Sequence, residues 1–297
     1  AENWLQKHRR PAKPLLDLWL TTGDNAYTSG RNRDYQDAIF EPYQAWLTRF
    51  ALIPAYGNHD ARRWAFFDIF EFPEQGESGG LASGSEHYFA IELGSMHIVV
   101  IDSLADDFSP DSPMVRWLQA DLTLTQARWK LALFHYPPYS RGSHDSDDGA
   151  GSDWRMPAIR KQILPILESY GVDLVLSGHS HAYERSHLIH GHYGMSDEFN
   201  GQHLVDAGVV VGDVNYYEQS ARCQSECGTL YVVLGNSAEL HMGSMDHPAL
   251  PIHSKQGGSL ILDVDSHCLR GYMLTTEDSI DDAFTIQSSD FSCLSND

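Results

Sequence analysis

The sequence of 297 residues has few cysteines, no long apolar run and a shortage of positive charge. Four cysteines are too few for a disulfide-dense scaffold, and they do not form zinc-ribbon pairs. No apolar run approaches the roughly 18–20 residues that cross a bilayer, which argues against a transmembrane protein. Twenty Lys and Arg stand against 41 Asp and Glu, so the formal net charge is −21. We therefore expect no nucleic acid duplex as a partner, because its phosphates would be repelled.

Two features of the chain have consequences for its chemistry and its context. Cys223 and Cys227 lie in one polar loop, and their spacing leaves open a short-loop disulfide or a pair of free thiols. The first residues, AENWLQKHRR, contain no apolar segment and so do not form a signal peptide. The chain opens at Ala1 rather than Met, and we expect that upstream sequence is absent.

The remaining composition is that of a globular protein, with 42% apolar and 21% charged residues. Short apolar runs alternate with amphipathic stretches, and the last third of the chain is mostly β-like. This pattern predicts one α/β domain over residues 1–297 with one or two mixed sheets. The expected strands are 15–20, 51–56, 87–93, 96–101, 130–134, 174–176, 230–234, 259–264 and 269–274, and the expected helices are 34–50, 61–70, 114–122 and 154–170.

Four of the predicted strands each end in a polar cluster. The clusters are GDNAY (23–27), GNHD (57–60), HYPP (135–138) and GHSH (178–181). Loops beyond the carboxyl ends of strands in α/β sheets converge on one crevice, so we expect these side chains to meet. Any one cluster alone would be an ordinary turn, but four in succession are hard to obtain by chance.

The converging side chains form a set of metal ligands. Carboxylate, amide, imidazole and phenolate donors suit first-row transition metals, and the absence of thiolate argues against a structural zinc site. The ligands are too many for one ion. A carboxylate such as Asp24 can bridge two ions about 3.5–4 Å apart, so the sequence predicts a dinuclear site.

These motifs resemble those of the calcineurin-like metallophosphoesterases. Tyr27 and the 183–185 segment (YER) are similar to the purple acid phosphatase branch of that superfamily. The resemblance runs from about Leu15 to Arg185 and extends to 231–239. It implies a four-layer α/β/β/α sandwich of two mixed β-sheets, here lacking its first strand.

The resemblance also implies ligand roles. Asp24 would bridge two metal ions. Tyr27 and His181 would bind an Fe(III)-type ion. A second, divalent ion (Fe, Zn or Mn) would be held by three further ligands, Asn58, His135 and His179.

Two further histidines would act on the substrate. By the same resemblance, His59 would lie near the leaving group as proton donor or transition-state stabiliser. His144 lies nine residues after His135, a spacing similar to that of the substrate-facing histidine of purple acid phosphatases.

One family feature is missing from the sequence. The family opens with a DxG or DxH motif on an earlier strand, whose Asp binds the Fe(III)-type ion. Asp17 is the only acid shortly before GDNAY, and its LLDLWL context does not fit that motif. We expect that the first strand is absent and that the first metal site lacks one carboxylate.

The implied function is an acid-phosphatase-like phosphomonoesterase that uses metal-bound hydroxide on small phosphate esters. Two alternatives stay open. One is a phosphodiesterase or nucleotide pyrophosphatase on the same scaffold, and the other is a truncated, catalytically impaired member that serves as a binding module. Family analogy places the protein outside the cytoplasm, as a secreted or periplasmic protein. The sequence does not indicate an oligomeric state.

Overall fold

The computed structural model describes residues 2–8, 15–219, 227–237 and 240–293. Its α-helices are α1 (Glu2–His8), α2 (Asn32–Tyr35), α3 (Gln44–Leu47), α4 (Ala65–Ile69), α5 (Pro113–Leu124), α6 (Arg155–Gln162) and α7 (Leu164–Ser169). A π-helical turn spans Gln36–Phe40, and short 3₁₀ turns span Asp60–Arg62, Gly151–Trp154, Ser196–Glu198 and Gly201–His203. No helix in these ranges is long and apolar enough to cross a membrane.

The strands are β1 (Leu18–Thr21), β2 (Ala51–Pro54), β3 (Phe89–Leu93), β4 (Met96–Val100), β5 (Trp129–Leu133), β6 (Leu174–Ser177), β7 (Tyr183–Arg185), β8 (Leu188–Ile189), β9 (Leu204–Asp206), β10 (Val209–Val211), β11 (Val214–Gln219), β12 (Leu230–Leu234), β13 (Ile252–Ser254), β14 (Gly258–Val264), β15 (Cys268–Thr275) and β16 (Ile280–Ser288).

Most strands belong to two large mixed sheets. The first has the order β13-β7-β12-β6-β5-β4-β3, with β12, β6, β5 and β4 parallel to their neighbours in that run. The second has the order β10-β11-β16-β15-β14 and is mostly antiparallel. Strands β1 and β2 form a separate parallel pair. Strands β8 and β9 form a separate antiparallel pair. The expected α/β class with two mixed sheets is confirmed.

Alternation along the strands of the larger sheet builds two apolar cores. In β5, Leu131 and Leu133 face a cluster that also contains Phe284 and Ile286 of the second sheet. Ala132, between them, faces the opposite cluster with helices α5, α6 and α7. Because side chains alternate across a strand, one sheet separates the two cores and holds the helices on its outer face.

A buried ion pair joins the two sheets. The Arg185 guanidinium on β7 donates to both carboxylate oxygens of Asp282 on β16, at 2.6 and 2.8 Å. Both residues are buried, and the Tyr183 and Tyr217 hydroxyls complete the network. A bidentate pair of this kind fixes the relative position of the sheets, because either charge left alone in the core would be unstable.

Three of the expected helices are broken. Residues 34–50 form two short helices and a π turn, and Pro42 lies where a continuous helix would need its missing amide. Residues 154–170 form two helices, with Pro165 in the first turn of α7. Residues 61–70 comprise the end of a 3₁₀ turn and α4. The expected strands of the C-terminal third are confirmed, and β9, β10, β11, β13 and β16 are strands that the pattern did not predict.

Candidate metal centre

The predicted ligand loops follow the carboxyl ends of four strands. The parallel pairs β1–β2 and β5–β6 direct the segments 22–27, 57–60, 135–138 and 178–181 to one side of the molecule. A hydrogen bond from the Gly178 amide to the His135 carbonyl, 2.9 Å long, ties the last two loops together. The predicted convergence of the clusters is therefore present in the fold.

One half of the centre contains Asp24, Tyr27 and His181. The Tyr27 hydroxyl lies 3.3 Å from Asp24 Oδ2 and 3.0 Å from His181 Nε2. Tyr27 is about one-third exposed, so this half faces solvent. Among the described residues, His181 belongs to no group of three His, Cys or carboxylate side chains. The described ligands in this half are therefore one carboxylate, one phenol and one imidazole.

The other half contains Asn58, His135 and His179. Asn58 Oδ1 lies 2.9 Å from His135 Nε2 and 3.0 Å from His179 Nδ1. His135 Nε2 is also 3.4 Å from Asp24 Oδ2, which places Asp24 between the two halves. His135 and His179 are buried, so this half forms the floor of the crevice.

The partners of the outer ring nitrogens show why a cation fits this second half. His135 Nδ1 lies 2.8 Å from the Thr22 carbonyl, and His179 Nε2 lies 3.1 Å from Asp153 Oδ1. Those partners only accept, so each of these nitrogens carries a proton. In the neutral rings the lone pairs of His135 Nε2 and His179 Nδ1 then face the Asn58 carbonyl oxygen. Three acceptors that point at one another repel unless a proton on His135 Nε2 or a metal ion lies between them, so neutral rings favour a cation here.

The charges in the centre shift several pKa values. Burial would raise the pKa of Asp24, but His135 and the His59 amide outweigh burial and lower it. Burial opposes protonation of His135 as well, yet the Asp24 carboxylate and the Thr22 carbonyl raise its pKa. For His179 burial dominates and lowers the pKa to about 4. The centre therefore keeps Asp24 ionised and His179 neutral, which are the forms that bind metal.

The backbone is held in unusual conformations at two of these residues. Asp24 and His179 have φ angles of 54° and 63°, in the left-handed region that disfavours most side chains. Gly57 allows the close approach of the Asn58 loop, since a Cβ there would lie 2.1 Å from the Asp24 amide nitrogen. Such conformations concentrate at functional sites, where the surrounding fold compensates their cost.

A buried carboxylate that sequence reasoning missed holds the first two loops together. Asp60 is fully buried and accepts hydrogen bonds from the Asn25 and Gly57 amides, the Asn25 side chain and the Tyr35 hydroxyl. Burial raises its pKa despite these donors. Asp60 therefore connects the loop of Asp24 to the loop of Asn58.

The two predicted substrate-facing histidines lie at opposite ends of the ligand array. The His59 ring lies 4.4 Å from the Tyr27 ring, and its amide donates to Asp24 Oδ1 at 2.7 Å. The His144 ring lies against the His179 ring, with centroids 3.9 Å apart. Both imidazoles are partly exposed at the rim of the crevice.

Asp153 is the second residue that sequence reasoning missed. Its carboxylate bridges His144 Nδ1, at 2.7 Å, and His179 Nε2, at 3.1 Å. Burial would raise the pKa of Asp153, but the two imidazoles lower it to about 2, so it is an anion. The only sequence signal is an Asp in a Gly-rich stretch just before a helix, and that signal is common in loops.

A buried network places the loop that carries His144. Glu184 on β7 accepts from the Ser140 hydroxyl and, at 3.0 Å, from the Arg141 amide. Ser140 Oγ also forms a hydrogen bond with Ser180 Oγ at 2.7 Å, and Ser143 Oγ accepts from the His181 amide. The GHSH loop and the His144 loop are thus fixed to each other through side chains.

This arrangement of oxygen and imidazole donors at the strand ends of a two-sheet α/β fold is that of a metallophosphoesterase. The family model described as calcineurin-like phosphoesterase matches residues 1–183, well over half of the chain. The protein belongs to the calcineurin-like phosphoesterase family, which confirms the resemblance inferred from the motifs.

Individual relatives agree with the purple acid phosphatase branch. Purple acid phosphatase 18 of Arabidopsis thaliana is 30% identical over 210 residues, which are 68% of this chain and 44% of that protein. Purple acid phosphatase 1 of Ipomoea batatas is 32% identical over 158 residues, 50% of this chain and 30% of that protein. The chain spans less than half the length of these curated relatives.

A solved structure supports the fold. Purple acid phosphatase PPD1 from yellow lupin (Lupinus luteus) seeds has a TM-score of 0.66 at 16% identity. The alignment covers 98% of this chain and 51% of the lupin chain. At this identity the likeness shows a shared architecture.

Proposed function

We propose that the protein is a phosphomonoesterase with a dinuclear metal centre, acting on small phosphate esters. The observation that supports it most directly is the convergence of Asn58, His135 and His179. Asn58 Oδ1 lies 2.9 Å from His135 Nε2 and 3.0 Å from His179 Nδ1. Family membership and the similarity to purple acid phosphatases support the reaction class.

The ligand roles divide along the two halves of the centre. Tyr27 and His181 would hold an Fe(III)-type ion, and the Asp24 carboxylate would lie between both ions. Asn58, His135 and His179 would hold a divalent ion, Fe, Zn or Mn. The ions would supply Lewis-acid polarisation of the phosphoryl oxygens and a water acidified to near neutral pH.

The chain's own residues would orient the ester and move the proton. His59 and His144 lie at the two ends of the ligand array, so they would contact opposite sides of a bound phosphate. His59 Nδ1 lies 2.8 Å from the Thr28 carbonyl and so carries a proton, and Nε2 would donate to the leaving oxygen from the doubly protonated ring. The chain has a formal net charge of −21, which would repel a phosphate ester. The positive charge of the two ions would reverse the electrostatic potential at the metal centre.

The proposal is tested with a matched pair of substrates on protein loaded with Fe(III) and Zn(II). We expect p-nitrophenyl phosphate to be hydrolysed faster than bis(p-nitrophenyl) phosphate. Asn58→Ala should lower turnover by at least the ~10–100-fold that loss of even an outer metal partner costs. Asn200→Ala, which changes an exposed asparagine, is the control.

Two results would contradict the proposal. One is a protein that takes up two ions and hydrolyses neither ester. The other is a faster rate on the diester, which would favour the phosphodiesterase alternative.

We also propose that the protein functions outside the cytoplasm. Cys268 and Cys293 form a disulfide, and Cys227 is disulfide-bonded. Cys223 lies outside the described residues, so its pairing stays a prediction. Disulfides persist in oxidising compartments, which supports export.

A further inference from the structure

Two adjacent arginines beside the metal centre, Arg62 and Arg63, have no acidic partner among the residues that the structure describes. Most described arginines pair with a carboxylate, as Arg31 does with Asp34 and Arg160 with Asp147. Within the described ranges, Arg49, Arg62 and Arg63 form no such pair, although acidic residues outnumber basic ones two to one. A guanidinium left unpaired in so acidic a chain is available to an anion from solution.

Hydrogen bonds place Arg62 next to His59. Arg62 Nη1 donates to the Thr28 carbonyl at 3.0 Å, and His59 Nδ1 shares that same oxygen at 2.8 Å. Arg63 follows directly and donates to the Arg62 carbonyl at 2.7 Å. Both side chains are exposed, and the shared Thr28 carbonyl holds Arg62 beside His59.

An exposed aromatic ring completes this segment. Trp64 is 88% exposed, more than any other large apolar residue that the structure describes. The indole of Trp64 therefore offers its faces to a stacking partner from solution. Trp64 directly follows Arg62 and Arg63 in the sequence.

We propose that Arg62 and Arg63 form a leaving-group subsite that selects phosphate esters or anhydrides whose leaving group carries a second phosphate. The inference rests on the proposed function, since it places the leaving group beside His59. In that reaction water adds its oxygen to the terminal phosphorus, and the bond from phosphorus to the leaving oxygen breaks. The leaving oxygen keeps the electron pair and receives its proton from His59.

The second phosphate would meet the arginines in the geometry they favour. A guanidinium offers paired N–H groups that match two phosphate oxygens, and each such charge-assisted bond is stronger than a neutral one. A second phosphate could belong to a nucleotide or to a sugar bisphosphate. Trp64 separates these two sources, because only the nucleotide carries an aromatic base that can stack on the indole.

The test compares substrates with and without the second phosphate. ATP, fructose 1,6-bisphosphate and p-nitrophenyl phosphate are assayed with the wild-type, metal-loaded protein and with Arg62→Gln/Arg63→Gln. We expect kcat/KM to fall at least about tenfold more for ATP and the bisphosphate than for p-nitrophenyl phosphate, the factor that one charge-assisted hydrogen bond provides. The loss should lie mainly in KM and shrink as salt is added.

Arg49→Gln is the matched control. Arg49 is the third arginine without a carboxylate partner, but it precedes β2, whereas Asn58 and His59 follow that strand. Its substitution removes the same charge from the opposite end of the strand and should not change the substrate ratio.

The outcomes separate this inference from the proposed function. If wild-type protein hydrolyses none of the three substrates, the proposed function fails. If it hydrolyses p-nitrophenyl phosphate but the double variant lowers all three kcat/KM values equally, or none, the subsite is overturned. Trp64→Ala then assigns the source: a loss on ATP alone indicates a nucleotide, and no loss indicates a bisphosphate.

Discussion

Replacement of Asp153 by asparagine should weaken divalent metal binding without unfolding the protein. Asp153 Oδ1 accepts the Nε2 proton of His179 at 3.1 Å, which leaves His179 Nδ1 free to face Asn58. Carboxylate partners of this kind fix the tautomer and raise the basicity of the ligand imidazole. Their loss typically costs 10–100-fold in metal affinity, or about 1.4–2.8 kcal/mol.

The assay is calorimetric titration of chelator-treated protein with Zn²⁺, so it does not depend on turnover. In Asp153→Asn we expect the dissociation constant to rise by that factor. The side-chain ¹⁵N shifts of His179 should show that the Nε2–H tautomer is less populated. Asp148→Asn is the control, because Asp148 lies on the same loop and is exposed.

The reasoning would be refuted by a variant that binds Zn²⁺ as tightly as wild type and keeps the His179 tautomer. A purely structural role predicts a different pattern. In that case the free energy of unfolding would fall while the zinc affinity of the folded protein stayed constant.

Two further predictions concern stability. Burial lowers the pKa of His247 to about 3. The unfolded chain, with a pKa of about 6.5, therefore binds the proton first, and stability is lost as pH falls below that value. Between pH 7 and pH 5 the free energy of unfolding should fall by ~2 kcal/mol because of this one histidine. In urea titrations, the free energy of unfolding of His247→Gln should depend on pH less than that of wild type by this amount. Parallel pH dependences of the two proteins would contradict the prediction. Asp282→Ala leaves Arg185 charged and unpaired in the core and should destabilise the protein by about 3–5 kcal/mol in urea unfolding, whereas exposed Asp68→Ala should not.

Strand positions could be predicted from short apolar runs where a buried strand of the larger sheet, such as β5, is apolar on both faces. Leu131, Ala132 and Leu133 serve two different cores, so no polar residue interrupts them. Helix boundaries were less predictable. One continuous helix is predicted over 34–50, but the helix breaks and Tyr43 is 42% exposed. Pro42 was visible in the sequence, yet periodicity alone does not show how a chain continues past such a break.

The sequence by itself determined the candidate ligand set. Asp24, Asn58, His135 and the GHSH histidines each follow an apolar strand, and the geometry of parallel strands requires such residues to meet. Only the tertiary structure decided what surrounds them. Asp60 and Asp153 are ordinary loop acids until folding places one under two loops and the other between two imidazoles. Strand-end position is a local property that sequence records, whereas the partners of a buried carboxylate come from segments whose approach depends on packing of the whole domain.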